Sequence, residues 1–407
     1  MRALRRLLDK AGGPFGEGRA LSKLKPLYDA LDTLVFSPGK VAEGSVHLRD
    51  ALDLKRMMVT VVVALVPSMV MGMYNTGLQA HRALALGARP LDRWQETLYA
   101  ATGLGYAPTD VFANLVHGAC YFVPIYVVCL AAGGFWEVLF AVVRRHEVAE
   151  GFFVTSALVP LIVPATLPLW QLVLATSFGV VLGKEVFGGV GMNIFNPALL
   201  IRAFLFFAYP VDISGDSPWT AADFSSVDGM TGATWLSKAA VSGVPGLEGL
   251  AWWDAFVGTI PGSMGETSAL AALIGCVILL VSRVASWRTM LGVTIGTLAL
   301  AMLFNAIGSE TNQMFALPFH WHVVLGGWAV GTVFMATDPV TAPFTPWAQL
   351  IYGLLIGALT VMVRVVNPAY PEGMMLAILF MNMFAPLLDY GFVQANIRRR
   401  ETRLAAR

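Results

Sequence analysis

The chain has 407 residues, of which 57% are hydrophobic and only 13% are charged, with a formal net charge of +1. A soluble globular domain is about 45–50% apolar and about 25% charged, so a mean hydropathy of +0.67 points to a polytopic membrane protein. The near-zero net charge excludes a nucleic-acid partner, and Cys120, Cys129 and Cys276, all inside apolar runs, form no metal or disulfide pattern.

Residues 1–55 are polar and basic, and Pro14, Pro26 and Pro38 divide them into short pieces. The first apolar run begins only near Met57, which argues against a cleavable leader. Leu24, Leu27, Tyr28, Leu31, Leu34 and Val35 recur at helical spacing and predict a short amphipathic helix. Two readings stay open for it: an anchor on anionic membrane lipid, or a segment docked on a partner or over a membrane site.

A spanning helix needs about 20 mostly apolar residues. Such runs fall at 56–75, 111–132, 152–166, 169–186, 196–210, 267–283, 286–305, 320–337, 347–366 and 373–392. The fold expected is therefore all-α and polytopic, with about ten transmembrane helices. With the N-terminus in the cytoplasm, Arg144, Arg145, Lys184, Arg283, Arg288 and the tail arginines fall inside, as the positive-inside rule requires. The 211–266 loop falls outside and carries Lys238 against seven acids, whereas Arg82, Arg89 and Arg93 in the 76–110 loop run against the rule. Both ends are then cytoplasmic.

Pro168-Leu-Trp-Gln171 opens a stretch that ends at Asn196-Pro-Ala198, and Thr345-Pro-Trp-Ala-Gln349 opens one that ends at Asn367-Pro-Ala369. Each lies at the fourth helix of a group of five, so the expected architecture is two inverted five-helix repeats, with functional sites near broken helices. The divisions expected are a cytoplasmic segment 1–55, a transmembrane half 56–210, an external loop 211–266, a second half 267–395 and a basic cytoplasmic tail 396–407.

Four stretches carry candidate chemistry. Lys184 to Pro197 is a Gly-rich interruption at membrane depth, tolerated only where it is buried in protein or lines a cavity; Asn196 and Pro197 fit an N-cap and first turn. Glu137, Asp338 and Asp389 sit in or beside apolar runs, where an acid is costly and suits a hard cation, although an N-cap explains Asp338 and headgroup water the other two. Gly133-Gly134, followed by Phe152 and Phe153, leaves room for a flat apolar ligand, or serves packing. Asp228-Gly-Met-Thr-Gly-Ala-Thr234 is, by itself, a Gly-rich turn bearing hydroxyls. His117, His320 and His322 share no ligand spacing, and no structural metal site is expected.

These blocks together resemble one family. Thr231-Gly-Ala-Thr234 is similar to the flavinylation motif shared by the B subunit of the sodium-translocating NADH:quinone oxidoreductases and the D subunit of Rnf complexes. Gly133–Glu137, Gly183–Gly189, Asn196–Leu199, Ala336–Val340 and Asn367–Gly373 resemble the B subunit in order, so the likeness covers nearly the whole chain. The resemblance implies FMN joined through its phosphoryl group to Thr234 by a separate flavin transferase, with Asp228, Gly232 and Ala233 beside it. It implies a non-covalent riboflavin, for which Asn193 and Asn196 are the candidates, and ubiquinone near Gly133, Gly134 and Phe135. It links Glu137, Asp338 and Asp389 to Na⁺. The activity implied is electron transfer from NADH, through partner subunits of a six-subunit complex of the bacterial inner membrane, to FMN, riboflavin and ubiquinone, coupled to Na⁺ export. No nucleotide or iron–sulfur pattern is present, so NADH oxidation falls to a partner. The alternatives are the D subunit of an Rnf complex, which usually lacks a basic segment like 1–55, and a non-redox channel or transporter.

Overall fold

The computed structural model describes Gly13 and residues 54–144, 151–216, 218–225, 232–367 and 370–405. The amphipathic helix read at 24–35 and Asp228 lie outside the described residues. Among the described residues every regular element is helical, and Arg89 and Asp223 form an isolated bridge.

Among the described residues five helices are long and apolar enough to cross a bilayer: α1 (Leu54–Ala85), then, past the short helix α2 (Trp94–Ala100), α3 (Val111–Arg144), and, past α4 (Gly151–Ile162), α5 (Leu169–Gly183), which a 3₁₀ turn extends to Phe187. After α6 (Pro197–Ala208), α7 (Trp235–Ser242), α8 (Trp252–Val257) and α9 (Ala269–Val281) come the fourth and fifth, α10 (Trp287–Ile307) and, beyond α11 (Phe319–Val324), α12 (Pro346–Val366). A sixth crossing is formed if α13 (Met374–Asn382) and α14 (Ala385–Ala405), bent by 48° at their junction, act as one. The protein is thus a multi-pass membrane protein.

The runs read as about ten spans, several of them short, are helical and unequal. α4, α6 and α9 have 12, 12 and 13 residues, or about 18–20 Å at 1.5 Å per residue, short of the ~30 Å hydrocarbon core. The 320–337 run breaks into α11, a Gly326-Gly327 bend, a short helix Trp328–Val330 and a π-helical turn Gly331–Met335. Hydropathy sums residues whether or not the backbone runs straight, so it cannot see these breaks.

Side-chain faces explain the assembly. Val59, Val63, Val66 and Val70 form an exposed stripe on α1, while Val61, Ala64 and Leu65 are buried against the bundle. With lipid as apolar as the core, helices are held by close backbone packing. On α10 and α12 the spacing Gly292-x₃-Gly296 meets Gly353-x₃-Gly357: a Cβ on Gly296 would lie 2.0 Å from the Leu354 carbonyl oxygen, and one on Gly357 2.1 Å from that of Val293. Gly77 and Gly118 bring α1 and α3 together in the same way, their Cβ positions overlapping the carbonyl oxygens of Asn114 and Met73.

The arginines that ran against the charge rule are tied to loops. Arg82 Nη1 donates to the Thr259 carbonyl at 3.0 Å, Arg93 Nη1 donates to the Thr166 carbonyl, and Arg89 pairs through its backbone with Asp223. They therefore stand at the same end of the bundle as the loop bearing Thr234. There the buried Glu96 accepts Tyr121 Oη–H at 2.6 Å and shares a 2.8 Å hydrogen bond with His117 Nε2. Burial opposes ionisation of Glu96, but these hydrogen bonds and the adjoining His117 outweigh it and lower its pKa.

Candidate functional site

Thr234 is not a free turn residue. It is the N-cap of α7, in extended conformation, with Oγ1 accepting the Ser237 N–H at 3.2 Å. A phosphoryl group on Oγ1 would stand at the N-terminus of this helix, where unpaired N–H groups and the helix dipole favour negative charge. Lys238, one turn on, lies with Nζ 4.3 Å from the centre of the Trp235 ring. Gly232 and Ala233, read as part of a Gly-rich turn, are buried: a Cβ on Gly232 would lie 2.4 Å from the Asp216 carbonyl oxygen. The glycine is needed for this backbone contact, which seats the motif against the loop.

Beside Thr234 opens a cleft whose wall includes Trp235, Ser263, Glu266, Thr267, Gly326 and Glu372. Beneath it lies a set of buried charges that sequence reading missed. Arg202 of α6 donates to Glu266 at 3.2 Å, to Ser263 Oγ at 3.2 Å and to the Ile162 carbonyl. Arg364 of α12 donates to the carbonyls of His322, Leu325 and Glu372 at 2.6, 2.9 and 2.9 Å. Glu372 accepts the Gly327 N–H at 3.0 Å. Burial raises the pKa of Glu266, against the pull of Arg202 and with the repulsion of Glu372. The signal available in the sequence was arginine inside two apolar runs, at 202 and 364, each costly unless paired.

A second cleft lies towards the opposite end of the bundle, lined by Lys184, Asn193, Asn196, Thr155, Thr337 and Asp338 together with apolar residues such as Phe334. Here the expectation for the broken helix holds in detail. Asn196 caps α6, its Oδ1 accepting from Ala198 N at 3.0 Å and Leu199 N at 3.4 Å, with Pro197 in the first turn. Its Nδ2 donates to Asp338 at 3.3 Å, so two segments read apart in sequence meet across 142 positions. Asn193 Nδ2 donates to the Phe195 carbonyl at 3.0 Å. The cap takes up the Asn196 oxygen, leaving Asn193 Oδ1 as the freer amide acceptor. Asp338 also accepts from Val340 N and Thr341 Oγ1, at 3.2 and 2.9 Å; burial raises its pKa against these three hydrogen bonds.

The three acids read as cation-handling are separated. Among the described residues no group of three His, Cys, Asp or Glu side chains is placed to hold a metal. Glu137 is buried and ion-paired with Lys184 Nζ. Asp389 accepts from Phe344 N and Thr345 N, both at 2.8 Å, and from Thr345 Oγ1 at 2.7 Å, which ties α14 to the start of α12. At Gly133 the gap expected for a flat ligand is filled by Phe152, whose ring carbon lies 2.1 Å from where a Cβ would stand. The open side is at Gly134, where nothing lies within 4 Å of that position, and at the exposed Phe135, which with Trp136, Val173 and Ser177 borders a groove between α3 and α5.

Comparison with known proteins agrees with the resemblance read from the motifs. The description "NQR2, RnfD, RnfE family" matches residues 41–398. A protein of Chromohalobacter salexigens, named as the B subunit of a Na(+)-translocating NADH-quinone reductase, is 57% identical over 404 residues, covering 99% of this chain and 97% of its own. Proteins of the same name from Pseudomonas paraeruginosa and Pseudoalteromonas atlantica are 54% and 53% identical, each covering 98% of this chain and 99% of its own. The chain belongs to the NQR2, RnfD, RnfE family.

Proposed function

We propose that the chain is the electron-carrying membrane subunit of a sodium-pumping NADH:quinone oxidoreductase, in a six-subunit complex of the bacterial inner membrane. The observation that carries this reading is Thr234 capping α7 at the mouth of a cleft, in a chain 52–57% identical over its length to proteins named as that subunit. FMN, attached to Thr234 by a flavin transferase, supplies electron-carrying chemistry there. The residues fit such a group: a helix N-terminus for the phosphoryl, and a cleft kept open by Gly326, where a Cβ would lie 2.8 Å from a Glu372 oxygen. Asp228 belongs to the same motif.

The second cleft, with Asn193 and Asn196, is the proposed riboflavin site, because a flavin ring edge needs amide-type partners. Ubiquinone approaches at Gly134 and Phe135, with Gly133 keeping Phe152 close. With FMN, riboflavin and ubiquinone bound at these places, the chain would carry electrons that partner subunits take from NADH, and Glu137, Asp338 and Asp389 act at successive points of Na⁺ passage rather than as one site. The chain crosses the membrane ten times in two inverted five-helix halves, 56–210 and 267–395, with 1–55 and 396–407 cytoplasmic and the 211–266 loop outside. In support, α3 packs on α5 as α10 packs on α12, and the fourth helix of each half ends at a buried cation, Lys184 or Arg364.

The test is quinone reduction by the complex reconstituted in vesicles, with and without Na⁺, alongside flavin fluorescence on denaturing gels. Sodium-stimulated turnover with a fluorescent band is expected. Sodium-independent turnover with the band favours an Rnf-like role, and absence of the band favours a non-redox transporter.

A further inference from the structure

Glu266 is 3% exposed, yet only one of its carboxylate oxygens is engaged. Oε2 faces Arg202 Nη1 at 3.2 Å, and Oε1 has no hydrogen-bond partner. This oxygen lies at the Gly326-Gly327 bend, 2.5 Å from where a Cβ on Gly327 would stand, and Glu266 lines the same cleft as Thr234. Leaving a buried carboxylate oxygen without a donor is costly, so such a group invites a use.

We propose that Glu266, held by Arg202, is the charge-compensating group of the Thr234 cleft: for each electron that reaches the flavin there, one proton binds Glu266 Oε1. This rests on the reading that Thr234 carries FMN. The electron comes from NADH through the partner subunits, and the proton from water outside the membrane. The flavin gains one negative charge while an O–H bond forms at Glu266 and removes one, so the cleft's net charge is unchanged. When the electron leaves for the next carrier, the O–H bond breaks and the proton returns to water. Glu266 is thus a positioning residue for charge and not a catalytic one.

The surroundings favour this over other acids nearby. Glu266 is faced by Arg202 from α6, Ser263 from its own loop, Arg364 from α12, and Glu372 and Tyr370 from the segment before α13. Two cations and two carboxylates leave the set close to neutral, so one further negative charge is uncompensated. Glu372 already accepts the Gly327 N–H, and Arg202 and Arg364 are held by carbonyls as well as by charge. Among the described residues, Glu266 Oε1 is the fully buried carboxylate oxygen bordering the cleft that has no hydrogen-bond partner, whereas Glu372 is part-exposed. Its raised pKa places its protonation within reach of a modest change in local charge.

The experiment is a redox titration of the Thr234 flavin in the intact complex at several pH values, for wild type, Glu266→Gln and Glu266→Asp. One proton per electron means a tenfold change in equilibrium constant per pH unit, a fall in midpoint of about 59 mV. Wild type should approach this slope near neutral pH, Glu266→Gln should be flat there, and Glu266→Asp should restore it. An unchanged slope in Glu266→Gln overturns the proposal. Because that variant leaves Arg202 buried without its partner, wild type gives a second reading. Its reduced-minus-oxidised infrared spectrum should gain a protonated-carboxyl band that shifts in Glu266→Asp, and no such band also overturns the proposal. A missing flavin band on the gel removes the Thr234 reading and this one with it. A band with a pH-independent midpoint removes this one alone.

Discussion

Thr234 does two jobs that substitution can separate. As N-cap, its Oγ1 accepts the Ser237 N–H; as anchor, the same oxygen is the proposed phosphoester position. Asn caps a helix at least as well as Thr but has no hydroxyl to esterify. Thr234→Asn should therefore keep α7 intact and lose the flavin, Thr234→Ser should keep both, and Thr234→Ala should lose both. Losing the cap costs about 1 kcal/mol, so the amides of α7 should exchange about fivefold faster in Thr234→Ala if they open locally. The assay pairs in-gel flavin fluorescence with hydrogen exchange at residues 235–242. Fluorescence retained by Thr234→Asn would falsify the anchor. Exchange in Thr234→Ala equal to that in Thr234→Asn would show that the hydroxyl does not hold the helix.

Lys184→Met should break the buried ion pair with Glu137 and destabilise the protein by about 3–5 kcal/mol, while Lys184→Met with Glu137→Leu should recover most of this; thermal unfolding in detergent measures both. Gly296→Leu must push α12 away from α10, since even a Cβ falls 2.0 Å from the Leu354 oxygen, and should cost about 1–3 kcal/mol by the same measurement. Glu96 has its pKa lowered in the folded protein, so the stabilisation it provides is present above the ordinary carboxylate range and is lost as pH falls through the folded value. Once exchange rates are corrected for their intrinsic pH dependence, the protection of amides 94–100 should fall on acidification in wild type, and Glu96→Gln should remove that fall.

Much of this protein was legible in order and in kind. Hydropathy located the apolar runs, because a bilayer demands them wherever the chain crosses. Asn196-Pro197 announced a helix start, because cap and first-turn preferences are local and need no knowledge of neighbours. The motif ending at Thr234 was recognised as a string, and the match to the family followed from several such strings in sequence. What the string could not show is that Gly232 is buried against Asp216, since that depends on a segment the loop folds back to meet; the Thr234 cap is local, but it was read only as part of a turn.

The tertiary structure decided everything that depends on pairing at a distance. Glu137, Asp338 and Asp389 looked alike as acids in apolar surroundings, yet one is held by Lys184, one by Asn196 and Thr341, and one by the start of α12. Gly133 suggested a slot until Phe152 was seen to fill it. Arg202 and Glu266, 64 positions apart, became a pair only when α6 and the loop before α9 met under the cleft. Composition and local preference act along the chain, so a single sequence carries them in full. The partner of a buried charge is chosen by whichever segments pack together, and one sequence records that choice only as an arginine or a glutamate out of place.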